Sequence, residues 1–278
     1  MNAQATKGLM HGRRGLIMGV ANSHSIAWGI AQALSAHGAE LCFTYQGDAL
    51  GKRVAPLAKQ TGSDFILPCD VEDTASVDAV FSAIKDKWGS IDFIVHAIGF
   101  SDKRELKGRY ADTSRENFSR TMVISCFSFT EIAKRAAELM PNGGSMITLT
   151  YGGSTRVMPN YNVMGVAKAA LEASVRYLAA DFGPQGIRVN ALSPGPVRTL
   201  AGAGISDARA MYSFQRAHSP LRKSVSIEDI GGSALYFLSD LSGGVTGEVH
   251  HIDAGYNIIS MPRPEDMKAA LSGEDDGA

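Results

Sequence analysis

The sequence has almost no net charge and no long apolar run. Its 27 Lys and Arg residues nearly balance 28 Asp and Glu residues, for a formal net charge of -1, so the composition favours neither nucleic acid nor an anionic membrane as a partner. No apolar run approaches the roughly 20 residues that a membrane-spanning helix needs. Lys7, Arg13 and Arg14 precede the first predicted strand without the apolar segment of a secretory signal. We therefore expect a soluble, cytoplasmic protein.

Cysteine is scarce, and the histidines lack metal-ligand spacing. The three cysteines are Cys42, Cys69 and Cys126, with no CxxC pair. An odd number of cysteines in or beside apolar runs predicts reduced thiols in a core. His250 and His251 are adjacent in a predicted strand and point to opposite faces, and His96 is expected to end a buried strand. The spacings predict no metal site, and the lack of GxSxG or a Cys–His pairing argues against a hydrolase.

Short buried strands alternate with helices along the chain. Strands are predicted at 15–20, 40–45, 65–71, 91–98, 146–149, 187–192 and 248–253, and helices follow most of them, including 115–140, 160–182 and 226–239. Strict alternation with non-alternating apolar strands indicates an α/β fold. We predict a single doubly wound, Rossmann-like domain over residues 1–278, with a seven-stranded parallel sheet flanked by helices. Residues 1–12 and 263–278 are predicted to be mobile termini.

The first strand-to-helix turn is the place where a doubly wound domain holds a pyrophosphate. Here it runs from Gly19 to Ala27 and lacks the GxGxxG pattern, with Ser25 and Ala27 standing where glycines are common. A plain strand–loop–helix connection explains this turn equally well.

The end of the second predicted strand normally reads the adenosine ribose. Gln46 is neutral and has no directly adjoining basic residue, which favours NADH over NADPH, although Lys52 and Arg53 leave NADPH open. Asp70 and Val71, at the end of the third predicted strand, are placed to contact the edge of an adenine. A helix-capping aspartate is the alternative for Asp70.

Two tyrosines and a lysine follow the fifth predicted strand. Tyr161 and Lys168 lie seven residues apart, about two helical turns, so they share a helix face, and Gly165 between them leaves that face open. The ammonium group is expected to lower the pKa of the Tyr161 phenol, which suits a proton donor. Tyr151 is expected to face the same space. The alternative is a surface helix on which Tyr and Lys occur by chance.

Six segments carry a resemblance to a known family: Gly19-x5-Ser25-Ile-Ala27, Phe43-Thr-Tyr-Gln46, Cys69-Asp-Val71, His96-Ala-Ile-Gly-Phe100, Pro159-Asn-Tyr-Asn-Val-Met-Gly165 and Gly195-Pro-Val-Arg-Thr-Leu200. A tyrosine and a lysine after the fifth strand resemble the short-chain dehydrogenase/reductase superfamily. That superfamily usually has Tyr-x3-Lys, whereas this chain has Gly165 there and the spacing Tyr161-x6-Lys168. The combination closely resembles bacterial NADH-dependent enoyl-[acyl-carrier-protein] reductases, from about residue 8 to 260.

The resemblance implies an activity and its residues. NADH delivers hydride to C3 of a trans-2-enoyl thioester during fatty-acid elongation, Tyr161 holds the developing enolate oxygen, and Lys168 bonds the nicotinamide ribose. Tyr151 is the second active-site tyrosine, either relaying a proton or shaping the pocket. The cofactor-binding residues are expected to be Gly19, Ser25, Ile26, Gln46, Asp70, Val71, Ala97, Ile98, Gly99, Lys168, Val197 and Thr199.

The resemblance also implies how the substrate binds. Residues 196–215 are expected to form a mobile lid over the acyl chain, although an ordinary loop would have the same composition. The expected substrate-binding residues are Gly99, Phe100, Tyr151, Tyr161, Met164, Met211 and Phe214. Arg198, Arg209 and Arg216 are candidates for contacting acidic acyl-carrier protein, or are solvated surface residues. A homotetramer is implied as well.

One residue departs from the family pattern. Ala97 stands where many relatives carry a serine. If that serine only packs beside the adenosine, its loss is mild. If its hydroxyl bonds the cofactor, the affinity for the cofactor is lower.

Two other functions compete with this prediction. A carbonyl reductase of the same superfamily would reduce C=O, but the missing Tyr-x3-Lys argues against it. A non-catalytic NAD-binding regulator is conceivable because a fold does not fix a function. The presence of both Tyr161 and Lys168 argues against that alternative.

Replacing Gln46 by Arg should raise the use of NADPH relative to NADH. A guanidinium at the end of the second strand can pair with the 2′-phosphate that distinguishes the two cofactors. The measurement is the ratio of kcat/KM for NADPH to that for NADH. An unchanged ratio would place the ribose site elsewhere.

Overall fold

Seven strands form one sheet in the computed structural model, which describes residues 8–197, 208–261 and 263. The strands are β1 (Arg14–Met18), β2 (Glu40–Tyr45), β3 (Ile66–Pro68), β4 (Phe93–His96), β5 (Gly144–Leu149), β6 (Ile187–Pro194) and β7 (Val249–Ile252). They lie in the order β3-β2-β1-β4-β5-β6-β7, and each neighbouring pair is parallel. The predicted doubly wound, seven-stranded parallel sheet is confirmed.

Helices cover both faces of the sheet. They are α1 (Ile26–Ala36), α2 (Gly47–Gln60), α3 (Thr74–Trp88), α4 (Arg115–Met122), α5 (Ser128–Glu138), α6 (Asn162–Phe182), α7 (Ala208–His218) and α8 (Ile227–Leu238). Leu16 and Met18 join the apolar cluster under α3, α5 and α6, whereas Ile17 joins the cluster under α1, α2 and α8. Successive strand side chains point to opposite faces, so each strand supplies both cores. No helix in the described part of the chain is long and apolar enough to cross a membrane.

The strand order reverses between β1 and β4, which opens a crevice at the carboxyl ends of these strands. Met18 pairs with His96, and His96 pairs with Thr148, so the ends of β1, β4 and β5 lie side by side. His96 is fully buried, as predicted, and its ring nitrogens lie 3.1 Å from Thr148 Oγ1 and 2.9 Å from Ser128 Oγ. Burial lowers the pKa of His96 to about 3, so this ring is neutral.

Four strands, β1, β3, β4 and β7, are shorter than predicted and end before their predicted last residues. β3 ends at Pro68 and β4 ends at His96, so Asp70, Val71, Ala97 and Ile98 lie in loops. The apolar pattern continues past the last paired residue, and it therefore does not mark where strand pairing stops.

The prediction of a single long helix over 115–140 is wrong in detail. A π-helical turn, Val123–Phe127, separates α4 from α5. The Ser128 hydroxyl donates to the Ile124 carbonyl oxygen at 2.7 Å, which supplies that carbonyl with a partner inside the widened turn. Ser125 and Cys126 face inward while Phe127 is exposed. The residues of this turn, Val-Ile-Ser-Cys-Phe, are mostly apolar, so they do not interrupt the apolar run from which one helix was predicted.

Two segments expected to be loose contain defined structure. Within residues 8–12, Met10 is fully buried, and its N–H donates to the His37 carbonyl at 3.0 Å. The predicted lid, 196–215, includes the first part of α7, which the Ala- and Gly-rich composition did not indicate. Residues 1–7, 198–207, 262 and 264–278 lie outside the described residues, so those parts of the predicted termini and lid remain predictions.

Helices α1 and α8 cross at two glycines. A Cβ added to Gly29 would lie 2.6 Å from the Ile227 carbonyl oxygen, and one added to Gly231 would lie 2.7 Å from the Gly29 carbonyl oxygen. Both contacts are with backbone, which cannot rotate away. The two helices therefore approach this closely only because neither residue carries a side chain.

Replacing Gly231 by Ala should lower the free energy of unfolding by about 2 kcal/mol, because the added methyl group overpacks this crossing. Gly232→Ala is the matched control, since a Cβ at Gly232 meets nothing within 4 Å and alanine favours a helix. Urea unfolding of both variants measures the difference. Equal effects of the two substitutions would contradict the crossing described above.

Candidate active site

Tyr151 and Tyr161 meet at the carboxyl end of β5. Their rings pack edge to face, with centroids 5.1 Å apart and an interplanar angle of 70°. A Cβ on Gly153 would lie 2.5 Å from the Tyr161 ring, so this glycine makes room for the tyrosine. The expectation that the two tyrosines face one space is confirmed.

A tight turn places Tyr161 at the start of α6. Asn160 and Asn162 on either side have positive φ angles of 57° and 34°, and asparagine tolerates this region better than most residues. The Asn162 amide also donates to the carbonyl oxygens of Glu105 at 3.1 Å and Gly108 at 3.4 Å. The turn and these hydrogen bonds fix where Tyr161 stands.

Lys168 is buried in the second turn of α6, with 8% of its surface exposed. Its Nζ donates to the Leu149 carbonyl oxygen at 2.7 Å. A Cβ added to Gly99 would lie 3.7 Å from this Nζ. Burial lowers the pKa of Lys168 to about 8. The alternative of a surface helix on which the lysine occurs by chance is therefore wrong for Lys168.

Two expectations about this helix face are wrong. Burial raises the pKa of Tyr161, and Tyr151 and Glu172 raise it further, so the phenol is not acidified by Lys168. Burial likewise raises the pKa of Tyr151 to about 12. Gly165 does not leave an open face either, because a Cβ there would lie 2.7 Å from the Gly153 carbonyl oxygen. Spacing along a helix reveals which residues share a face, but not how deeply that face is buried.

The first turn brings backbone close to backbone. Gly19 has φ of 99°, and a Cβ on it would lie 2.1 Å from the Ala97 carbonyl oxygen. The Ser25 hydroxyl turns away from α1 and accepts from the N–H groups of Ala21 at 3.0 Å and Asn22 at 3.1 Å. Ile26 then begins α1. The N-terminus of this helix is therefore presented to the crevice, where it suits an anion.

Gln46 and Asp70 come together beside this turn. Gln46 Nε2 donates to Asp70 Oδ2 at 3.0 Å, and Asp70 Oδ1 accepts from the Glu72 N–H at 2.9 Å. The helix-capping alternative for Asp70 is wrong, because Asp73 caps α3 by accepting from Ala75. The two residues predicted to hold the adenosine thus share one edge of the crevice.

The loop after β4 contains further residues of the predicted site. The Ala97 N–H donates to the Met18 carbonyl at 3.1 Å, and the Ala97 side chain packs on the apolar cluster under α1. Ile98 and Val71 pack on the cluster of the opposite face. Phe100 is 42% exposed, and the Arg120 guanidinium lies 4.7 Å from its ring centroid.

A family model matches most of this chain. The family model described as enoyl-(acyl carrier protein) reductase matches residues 19–257. The chain belongs to this family. Its predicted membership is confirmed.

Several individual enoyl-(acyl carrier protein) reductases are similar over nearly their whole length. The chain is 77% identical to "Enoyl-[acyl-carrier-protein] reductase [NADH] 2" of Rhizobium meliloti, covering 95% of this chain and 98% of the relative. FabI from Candidatus Liberibacter asiaticus has a TM-score of 0.91 at 61% identity, covering 92% and 99% of the two chains. The reductase from Anaplasma phagocytophilum, solved in complex with NAD, has a TM-score of 0.90 at 56% identity, covering 93% and 98%. The predicted activity and cofactor agree with these names.

The residues predicted to bind the substrate divide into two groups. Met164 is buried with Leu106 and Val163, and Tyr161 packs on them. Met211 and Phe214 lie on α7, where Phe214 is 49% exposed and stacks on His218 at 3.9 Å. The structure therefore joins Met164 to the tyrosines, while the contact described for Phe214 lies within its own helix.

A cavity of about 400 Å³ lies between the first turn, α7 and α8. Six of its lining residues are His24, Val197, Tyr212, Arg216, Val225 and Glu228. The Tyr212 hydroxyl donates to the Val197 carbonyl oxygen at 3.1 Å, which ties α7 to the chain after β6. Thr199, Arg198 and the side chain of Arg209 lie outside the described residues.

Ser125 and Glu172 were not among the residues predicted from the sequence. The Ser125 hydroxyl donates to the Phe100 carbonyl oxygen and accepts from the Phe100 N–H, both at 2.9 Å, so the π-helical turn holds the loop after β4. Glu172 is buried one turn after Lys168. The π-helical turn that carries Ser125 can be recognised only in the structure. In a sequence, an acid four residues after a lysine usually indicates a solvated ion pair.

All three cysteines are free and buried. Among the described residues, no group of three or more His, Cys, Asp or Glu side chains could hold a metal ion.

Proposed function

We propose that this chain reduces trans-2-enoyl-[acyl-carrier protein] to the saturated acyl form with NADH, as a step of fatty-acid elongation. The observation that carries the proposal is the pair of contacting tyrosines beside a buried Lys168 at the end of β5. Hydrogen-bond donors and one cation converge there on a crevice that is suited to a dinucleotide.

The residues around the crevice fit NADH. The Gly19–Ala97 approach leaves no room for a side chain where a pyrophosphate would pass, and the N-terminus of α1 favours its charge. We propose that Gln46, Asp70 and Val71 hold the adenosine, and that Ala97, Ile98, Gly99, Val197 and Thr199 line the path to the nicotinamide. The apolar packing of Ala97 supports a packing role at this position. When bound, NADH would supply the hydride that is added to C3 of the enoyl thioester, and a proton taken up at C2 from solvent would complete the saturated acyl chain.

Tyr161 acts as a fixed hydrogen-bond donor. Because its pKa is raised, its hydroxyl keeps its proton throughout the working pH range and can donate to the thioester oxygen as negative charge develops there. A preoriented donor at such an oxygen stabilises the transition state by several kcal/mol. Tyr151 packs against the ring of Tyr161 and shapes the pocket in which the thioester lies.

Lys168 acts on the cofactor. Its ammonium group is charged below a pH of about 8, where its lowered pKa lies, and it lies beside Gly99 at the centre of the crevice. We propose that it donates to the hydroxyls of the nicotinamide ribose and adds positive charge near the reacting thioester.

The acyl chain and the carrier protein are placed on the α7 side. Gly99, Phe100 and Met164 border the tyrosines, and Met211 and Phe214 on α7 cover the acyl chain when residues 196–215 close. Arg216 is exposed on α7. We propose that it contacts the acidic carrier protein, and that Arg198 and Arg209 contribute to this contact.

We also propose a cytoplasmic homotetramer. Large apolar side chains are exposed along the segment from α4 to α6, namely Phe118, Val123, Phe127, Val166 and Tyr177. Clustered exposed apolar residues of this kind indicate a protein interface. Packing against other copies of the chain would remove them from water.

An absorbance assay tests the activity. With NADH and a trans-2-enoyl-CoA, we expect rapid loss of absorbance at the NADH band, and much slower loss with NADPH or with a 3-ketoacyl-CoA. Reduction of the ketoacyl substrate alone would make the protein a carbonyl reductase. Binding of NADH without turnover of any thioester, including the acyl-carrier-protein substrate, would support a regulator instead.

Separate variants test the two assigned roles. Lys168→Ala should weaken NADH binding about tenfold or more, because a charged donor is lost. Tyr161→Phe should leave NADH binding nearly unchanged and lower kcat about 100-fold. Fluorescence titration and steady-state kinetics measure these effects, with the exposed Lys134→Ala and Tyr236→Phe as controls. Equal losses of NADH binding in the two site variants would contradict the assignment.

A further inference from the structure

Glu172 is a buried carboxylate that the proposed reaction leaves unused. It lies on α6 one turn after Lys168, and 8% of its surface is exposed. The Thr150 hydroxyl donates to Glu172 Oε1 at 2.6 Å. Removing a carboxylate from water costs several kcal/mol unless nearby groups compensate for it, so its presence in this position calls for a physical reason.

Glu172 and Lys168 hold consecutive residues at the end of β5. Lys168 donates to the carbonyl of Leu149, Glu172 accepts from the hydroxyl of Thr150, and the next residue is Tyr151. Two turns of α6 are thereby tied to the segment that carries an active-site tyrosine. A glutamine could accept the same Thr150 hydrogen bond without burying a charge. The hydrogen bond alone therefore does not explain a carboxylate.

The surroundings of Lys168 explain the charge. Three titratable groups interact electrostatically with Lys168. They are His96 from β4, Cys126 from the π-helical turn and Glu172 from α6 itself. His96 is neutral, and burial raises the pKa of the Cys126 thiol, so the thiol keeps its proton. Cys126 and then Glu172 oppose the lowering of the Lys168 pKa by burial. With the thiol protonated, Glu172 is the one of the two that carries a negative charge.

We propose that Glu172 is a positioning residue that keeps Lys168 charged and held against the end of β5. This inference rests on the proposed role of Lys168 in binding the cofactor. Glu172 itself touches neither cofactor nor substrate in this proposal, and it acts through the ammonium group and through Thr150.

Glu172→Gln tests the proposal, because it removes the charge and keeps the shape and an acceptor for Thr150. The dissociation constant for NADH is measured by fluorescence between pH 6 and pH 9, together with kcat/KM for a trans-2-enoyl-CoA. We expect the alkaline loss of NADH binding to move down by about one pH unit. Such a shift corresponds to about fivefold weaker binding at pH 8 and nearly unchanged binding at pH 6.

The control is Asp181→Asn, which removes one negative charge from an exposed position on the same helix. It should leave the pH dependence of NADH binding unchanged. A loss in Glu172→Gln that is equal at every pH, or no change at all, would overturn the proposal, because a purely structural residue would behave in this way.

Two further outcomes are separable. If Glu172→Gln does not fold, Glu172→Asp replaces it; its shorter side chain should shift the pH dependence in the same direction by a smaller amount, and no shift would count against the proposal. The NADH titration needs no turnover. A shifted binding curve in a protein that reduces no enoyl thioester would therefore support the role of Glu172 while refuting the proposed function.

Discussion

A buried ammonium group hydrogen-bonded to the last carbonyl of β5 is the contact on which the site depends. Lys168 reaches from α6 to Leu149, and this contact requires the helix to lie close against the strand end. Gly153 and Gly165 permit that approach, since a side chain at either would strike the Tyr161 ring or the Gly153 carbonyl. The tyrosines, the turn that carries them and the lysine are thus one packed unit rather than separate side chains around a cavity.

Much of the fold could be predicted, because buried parallel strands and their covering helices leave continuous apolar runs in the sequence. Strand ends were less certain, since Ala97 and Ile98 remain apolar after pairing with neighbouring strands has stopped. Helix α7 was not predicted because it lies in a region, 200–224, whose Ala and Gly content before the helix suggested a loop. The π-helical turn at Val123–Phe127 was not predicted because its mostly apolar residues continue the apolar run of the flanking helices.

The sequence predicted which residues form the candidate site better than it predicted their protonation. Tyr151 and Tyr161 meet as expected, and Lys168 is bound to the end of the same strand, but the phenol pKa moves in the direction opposite to that predicted. Desolvation raises the pKa of Tyr161, and Tyr151 and Glu172 act in the same direction. A sequence does not reveal depth of burial. Glu172 was overlooked for the same reason: its spacing from Lys168 is that of an exposed ion pair, whereas both side chains are in the interior.

The π-helical turn sets the rotational phase between α4 and α5. Each residue of an α-helix advances its face by about 100°, so one residue more or less between the two helices rotates one relative to the other by that angle. With the turn present, Ser125 points at Phe100 while Phe129, Ile132 and Ala133 still enter the core. The irregular turn thus sets the orientation in which Ser125 holds the loop after β4 while the apolar face of α5 packs against the sheet.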